Sequence, residues 1–135
     1  MTIRRARSSD LPAIRNLAKS LGLDYPDMKD DHFWVAARGS AIVGIVALKR
    51  HADCLELVSL GVEPGSRERG LGQRLVQALL DAAPADVFLA TVIPAFFART
   101  GFVPASSPPA GLAKDPAWCE GCPKDRCVIM VKAAS

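Results

Sequence analysis

The chain lacks an apolar run of the ~20 residues that crossing a bilayer needs. Its longest mainly apolar stretch, Val87 to Ala98, contains Thr91 and Pro94 and stops at Arg99. No apolar segment follows the basic start MTIRRARSSD, so a secretory leader is not expected. Excess charge of one sign is also scarce: Lys plus Arg number 17 and Asp plus Glu 14, a net charge of +3. That is too mild for a nucleic-acid binder; it suits a small anion held by a local cluster of arginines. No segment repeats and no long linker interrupts the 135 residues, so one domain over 1–135 is expected. What is present is globular: half the residues are apolar and 23% are charged, with enough chain to bury one core. A soluble, cytoplasmic protein is expected, whose four cysteines would be reduced, metal-bound or redox-active and not a disulfide framework.

Thr2 to Ala6 reads as a short opening strand. Ser8-Ser9-Asp10 reads as a helix N-cap with Pro12 in the first turn, and Leu11, Ile14, Leu17, Ala18 and Leu21 follow at helical spacing up to Gly22. Phe33–Ala37 and Ala41–Leu48 flank Arg38-Gly39-Ser40 as a hairpin, and Leu55–Val62 is a further strand. Leu71, Leu75, Val76, Leu79 and Leu80 form the strongest helix face, closed before Pro84. Asp86–Val92 reads as a strand, Pro94–Arg99 as a short helix ended by Gly101, 104–118 as proline-bearing loop, and Cys127–Lys132 as the last strand. The order β-α-β-β-β-α-β-α-β is a mixed α/β domain. Strands outnumber helices and three are consecutive, so the sheet is not doubly wound.

The segment Leu57 to Leu80 carries the chemistry. An apolar strand leads through Arg67-Glu68-Arg69-Gly70-Leu71-Gly72 into the strong helix. A helix N-terminus offers unpaired N–H groups and the positive end of a dipole. Glycines at 70 and 72 let an anion approach those groups, and Arg67, Arg69 and Arg74 add positive charge. The arrangement is a pyrophosphate cradle. It lacks the Gly-Lys-Ser/Thr ending of a P-loop and the glycine spacing of the dinucleotide fingerprint.

On these residues the sequence resembles the GNAT superfamily of N-acetyltransferases. Arg67-Glu68-Arg69-Gly70-Leu71-Gly72 fits its acetyl-CoA signature, Arg/Gln-x-x-Gly-x-Gly/Ala, and Ala95-Phe96-Phe97-Ala98-Arg99-Thr100-Gly101-Phe102 is similar to its second block. The resemblance implies the GNAT fold: a central, mostly antiparallel sheet flanked by helices and splayed between the fourth and fifth strands. It implies acetyl-CoA as cosubstrate, with cofactor contacts from Leu60, Gly61, Val62, Arg67, Glu68, Arg69, Gly70, Leu71, Gly72, Gln73 and Phe97. Backbone N–H groups near Leu60 to Val62 would bond the pantetheine arm and polarise the thioester carbonyl, which becomes an oxyanion under attack.

Acetyl transfer needs the acceptor amine neutral, so a general base helps. Glu56, flanked by Leu55 and Leu57 on an apolar strand, is the candidate. The resemblance supports it: in the histone-acetyltransferase branch the catalytic glutamate stands eleven residues before the first signature residue, as Glu56 does before Arg67. A place on the wet face, or pairing with Lys49 or Arg50, fits the same residue. The Tyr that reprotonates the departing thiolate in many relatives is here Phe97, and the one tyrosine, Tyr25, lies in a distant loop. Solvent or another group would supply that proton; His32 and His51 read as strand-end histidines before they read as acid–base groups.

The second half, from Phe96 through Trp118-Cys119-x-x-Cys122-Pro123 to Cys127, and the entry Asp30-Asp31-His32-Phe33-Trp34-Val35-Ala36 are similar to short bacterial N-acetylglutamate synthases. That resemblance implies L-glutamate as the acceptor, at the head of arginine biosynthesis. Arg99 and Lys49 are the candidate substrate-binding cations, with Lys124 and Arg126 also available. Val58 stands where many such relatives carry Arg. Cys119, Cys122 and Cys127 are read as reduced thiols, since a second Cys-x-x-Cys is missing, and no metal is expected; a zinc site would need a fourth ligand from Cys54, His32 or His51. No nucleic acid or membrane is expected as a partner, and a homodimer is compatible with the chain. The rival readings are an acetyltransferase for another amine (an antibiotic, a polyamine or a protein N-terminus) and a non-catalytic acyl-CoA-binding module.

Overall fold

The structure, a computed structural model, describes residues 2–24, 28, 31–66, 70–91, 93–105 and 128–134. Among these the order is β1 (Thr2–Arg5), α1 (Leu11–Ser20), β2 (His32–Arg38), β3 (Ala41–Arg50), β4 (Leu55–Val62), α2 (Leu71–Ala82), β5 (Val87–Thr91), α3 (Pro94–Ala98), β6 (Val103–Pro104) and β7 (Val128–Lys132). Seven strands form one mixed sheet in the order β1-β2-β3-β4-β5-β7-β6. The chain divides into two compact units, Met1–Lys49 with Val58–Ala82, and Arg50–Leu57 with Ala83–Ser135.

In the first unit β2 and β3 read as almost unbroken apolar runs because both faces are covered. Ile14, Leu17 and Ala18 of α1 bury one face with Phe33, Val35, Ile45 and Ala47. On the other, α2 comes so close that a Cβ at Gly44 would lie 2.9 Å from Leu75 Cδ1 and 3.3 Å from Ala36 Cβ. Leu71, Leu75, Val76 and Leu79 are buried there, each contributing roughly 1.5–3 kcal/mol. The hairpin turns on Gly39 and Ser40, with Arg38 opposite Ala41 and Gly39 at φ +63°. Its register passes from Ala36↔Gly44 to Ala37↔Ile42, leaving Val43 as the extra residue of a bulge. The Val43 carbonyl accepts the Glu63 N–H at 2.8 Å and so fixes the chain just past β4.

In the second unit the start of β4 pairs in parallel with β5 at Leu55↔Val87 and Glu56↔Phe88. β5 and β6 are both antiparallel to β7. The parallel pairing thus takes in only the first two residues of an eight-residue strand among those described.

Two local expectations are corrected. Ser8–Asp10 is a single 3-10 turn that ends on Asp10, the N-cap position of α1, but no side chain there makes a capping bond to the helix. The Asp10 carboxylate turns back to accept the Arg7 N–H at 2.7 Å and both arms of the Arg4 guanidinium at 2.7 and 3.1 Å, a stronger set of partners than a helix amide alone. The chain after α3 also forms the short strand β6, whose Val103 and Pro104 pair with Val131 and Met130.

Candidate active site

Helix α2 starts directly after Gly70, whose φ of +70° suits glycine. The first helical bond runs from the Arg74 N–H to the Gly70 carbonyl at 3.0 Å. The N–H groups of Leu71, Gly72 and Gln73 therefore have no acceptor within the helix. Leu71 is buried and anchors the helix start, Gly72 and Gln73 are half-buried, and Arg74 is exposed. Among the described residues a side chain at position 70 would meet only Gln73 Oε1, at 3.9 Å. Free amides, the positive end of a helix dipole and a neighbouring cation fit a pyrophosphate. Arg67, Glu68 and Arg69 lie outside the described residues.

Upstream, β4 carries a residue that sequence reasoning missed. Ser59 has φ +55°, the one positive value at a non-glycine among the described residues. Such a step interrupts the strand's alternation immediately before Leu60, Gly61 and Val62, the backbone expected to meet the thioester. The Ser59 hydroxyl donates to the Leu23 carbonyl at 3.1 Å. Two residues on, a Cβ at Gly61 would fall 2.5 Å from Leu23 Cδ1 and 2.8 Å from Leu21 Cδ1, so a side chain there would have to displace the tips of both leucines. A serine within an apolar strand gives no sign of this in the sequence.

In the second unit Glu56 lies between buried Leu55 and Leu57. Its Oε1 is 2.9 Å from His51 Nε2, and the two side chains are only 13% and 8% exposed. His51 sits in the loop joining β3 to β4, where its N–H donates to the Cys54 carbonyl at 2.9 Å. One of the two histidines read as ordinary thus stands against the candidate base. The five-residue spacing across a tight loop was the available signal. The other, His32, is exposed and meets the Arg5 guanidinium.

The Phe97 ring is buried, edge-on to Phe96 at 5.0 Å and to Phe102 at 5.8 Å. Its carbonyl accepts the Thr100 hydroxyl at 2.9 Å. A phenyl ring brings no proton donor to this position. Arg99 is exposed just past α3, and Lys49 is half-buried near the end of β3. Cys54 is half-buried, whereas Cys119, Cys122, Cys127 and Tyr25 lie outside the described residues. Among the described residues no three His, Cys, Asp or Glu side chains come together as metal ligands, and no helix is long and apolar enough to cross a membrane.

A mixed sheet that delivers an interrupted strand and then a glycine-started helix has the form of an acyl-CoA transferase. Residues 4–102 match the family model described as Acetyltransferase (GNAT) family, and the chain belongs to that family. It is an acetyl-CoA-dependent N-acetyltransferase. It is 34% identical over 118 residues to an amino-acid acetyltransferase of Mycobacterium tuberculosis, an alignment covering 74% of this chain and 67% of that one. Among solved structures it is similar to Rv2747 from Mycobacterium tuberculosis in complex with CoA, with a TM-score of 0.75, 25% identity and coverage of 98% and 99% of the two chains. It is also similar to N-acetylglutamate synthase from Neisseria gonorrhoeae complexed with coenzyme A and L-arginine, at TM-score 0.70 and 28% identity. That alignment covers 98% of this chain and 32% of the neisserial one, so the chain spans about a third of that protein's length.

Proposed function

We propose that the chain acetylates the α-amino group of an acidic amino acid, with L-glutamate as the first choice, in amino-acid biosynthesis. It acts as one domain over 1–135 in the cytoplasm, and a homodimer is compatible with this role. The observation that carries the reading is the similarity, across most of the chain, to proteins named as amino-acid acetyltransferases. The pyrophosphate of acetyl-CoA rests on the Gly70–Gln73 amides with Arg67 and Arg69, and the Leu60–Val62 backbone polarises the acetyl carbonyl. Glu56 takes a proton from the acceptor ammonium. The neutral amine forms the new C–N bond and gives up its second proton to solvent as the C–S bond breaks, and the thiolate takes a proton from solvent. One proton is released overall. Arg99 and Lys49 supply positive charge for the acceptor's carboxylates.

Thiol release from acetyl-CoA with a panel of amines tests this reading. L-glutamate is expected to outrun lysine, spermidine and aminoglycosides, and efficient turnover of a polyamine with none of glutamate overturns it. One observation favours a second reading, a less acidic amino-acid acceptor. Val58 is half-buried against the core cluster of the first unit, so this position brings no cation to a carboxylate.

A further inference from the structure

We infer that His51 is the positioning residue of the Glu56 base. The inference rests on the reading of Glu56 as base and adds the group that holds it. A carboxylate has no proton to give, so across the 2.9 Å contact it is Nε2–H that donates to Glu56 Oε1. This requires the Nε2-protonated imidazole. The backbone holds the ring in place: the His51 N–H bond to the Cys54 carbonyl closes the loop, and Glu56 follows two residues later on β4. Both side chains are nearly buried, so water competes weakly for either end of the bond. The flanking Leu55 and Leu57 offer the carboxylate no polar contact through their side chains. The bond also survives turnover. When Glu56 takes the acceptor's proton, Oε1 still accepts from Nε2–H, and the base stays in place for the return of that proton to solvent. His51 acts through Glu56 and touches neither substrate.

The test is steady-state kinetics on the full chain, with the best acceptor of the panel and four variants: Glu56→Gln, His51→Leu, His51→Gln and the Glu56→Gln/His51→Leu double. His51→Leu removes the donor and is expected to lower kcat on the order of tenfold to a hundredfold, with the KM for acetyl-CoA within about twofold. His51→Gln returns an N–H donor and is expected to recover most of that loss. The double variant should be no slower than Glu56→Gln alone, because His51 has nothing left to position. A slow Glu56→Gln beside a His51→Leu variant of normal kcat overturns the role of His51 and leaves the base standing. A Glu56→Gln variant of near-normal rate overturns the base itself. Where His51→Leu does not fold, nitrogen-15 NMR of the unaltered protein decides: a protonated Nε2 coupled to Glu56 is expected, and a neutral ring protonated only at Nδ1 overturns the proposal.

Discussion

At Gly70 the left-handed φ of +70° and the position over the α2 amides make different demands on a substitution. Aspartate tolerates this backbone region better than most residues, and a negative charge suits a helix start. Gly70→Asp should therefore fold, at a cost of about 1 kcal/mol. The same carboxylate would occupy the space over the α2 amides and face a pyrophosphate at short range. Titration calorimetry should show CoA affinity falling on the order of a hundredfold or more. Unchanged affinity in the folded variant would remove the cradle. Gly70 and Gly72 were legible in the sequence because glycine at a helix start is itself the signal. Ser59 was not, since the carbonyl its hydroxyl meets belongs to Leu23, 36 residues away. For Glu56 the strand position was legible, but not the partner. Which side chain a loop folds back against the strand is decided by backbone closure at His51 and Cys54, and hydrophobic periodicity carries no trace of it.

The junction of β1 with α1 is held by charge. Asp10 is held down to about 2, chiefly by the Arg4 guanidinium and next by the Arg7 N–H. A carboxylate held below its ordinary value stabilises the fold above the unfolded value near 3.8, and that contribution is lost as pH falls toward about 2. The Arg4 and Asp10 side chains are 24% and 13% exposed, so solvent screening keeps this contribution small. Asp10→Asn should lower the denaturant midpoint at pH 7, and the gap to the unaltered protein should narrow steadily between pH 4 and 2. A gap independent of pH would assign the loss to packing instead. Most elements were legible because their apolar residues repeat at helical or strand period and bury as expected: Ile14, Leu17 and Ala18 on α1, and Leu71, Leu75, Val76 and Leu79 on α2. β6 was not, because two residues ending in proline carry no period and the strand exists only through its pairing with β7.

For the whole molecule, binding and turnover separate the enzyme from a module that only holds acyl-CoA. A ligand that binds the folded chain alone stabilises it by about 2.7 kcal/mol at a hundred times its Kd. For a chain of 135 residues that is a rise of roughly 10 °C in Tm. Acetyl-CoA should give this shift whether or not the chain is a catalyst, so the shift alone does not discriminate. The acceptor side does. With CoA already saturating, N-acetyl-L-glutamate should raise Tm further, because it completes the product complex, whereas N-acetyllysine and N-acetylspermidine at equal concentration should not. A binding module would show the first rise, no second one, and no thiol release from acetyl-CoA with any amine. A second rise with the polyamine product alone would move the acceptor away from amino acids while leaving the cosubstrate site intact. The Gly70→Asp chain supplies the control. It should lose the CoA shift while its ligand-free Tm falls by only about 4 °C, the change expected from left-handed strain of about 1 kcal/mol.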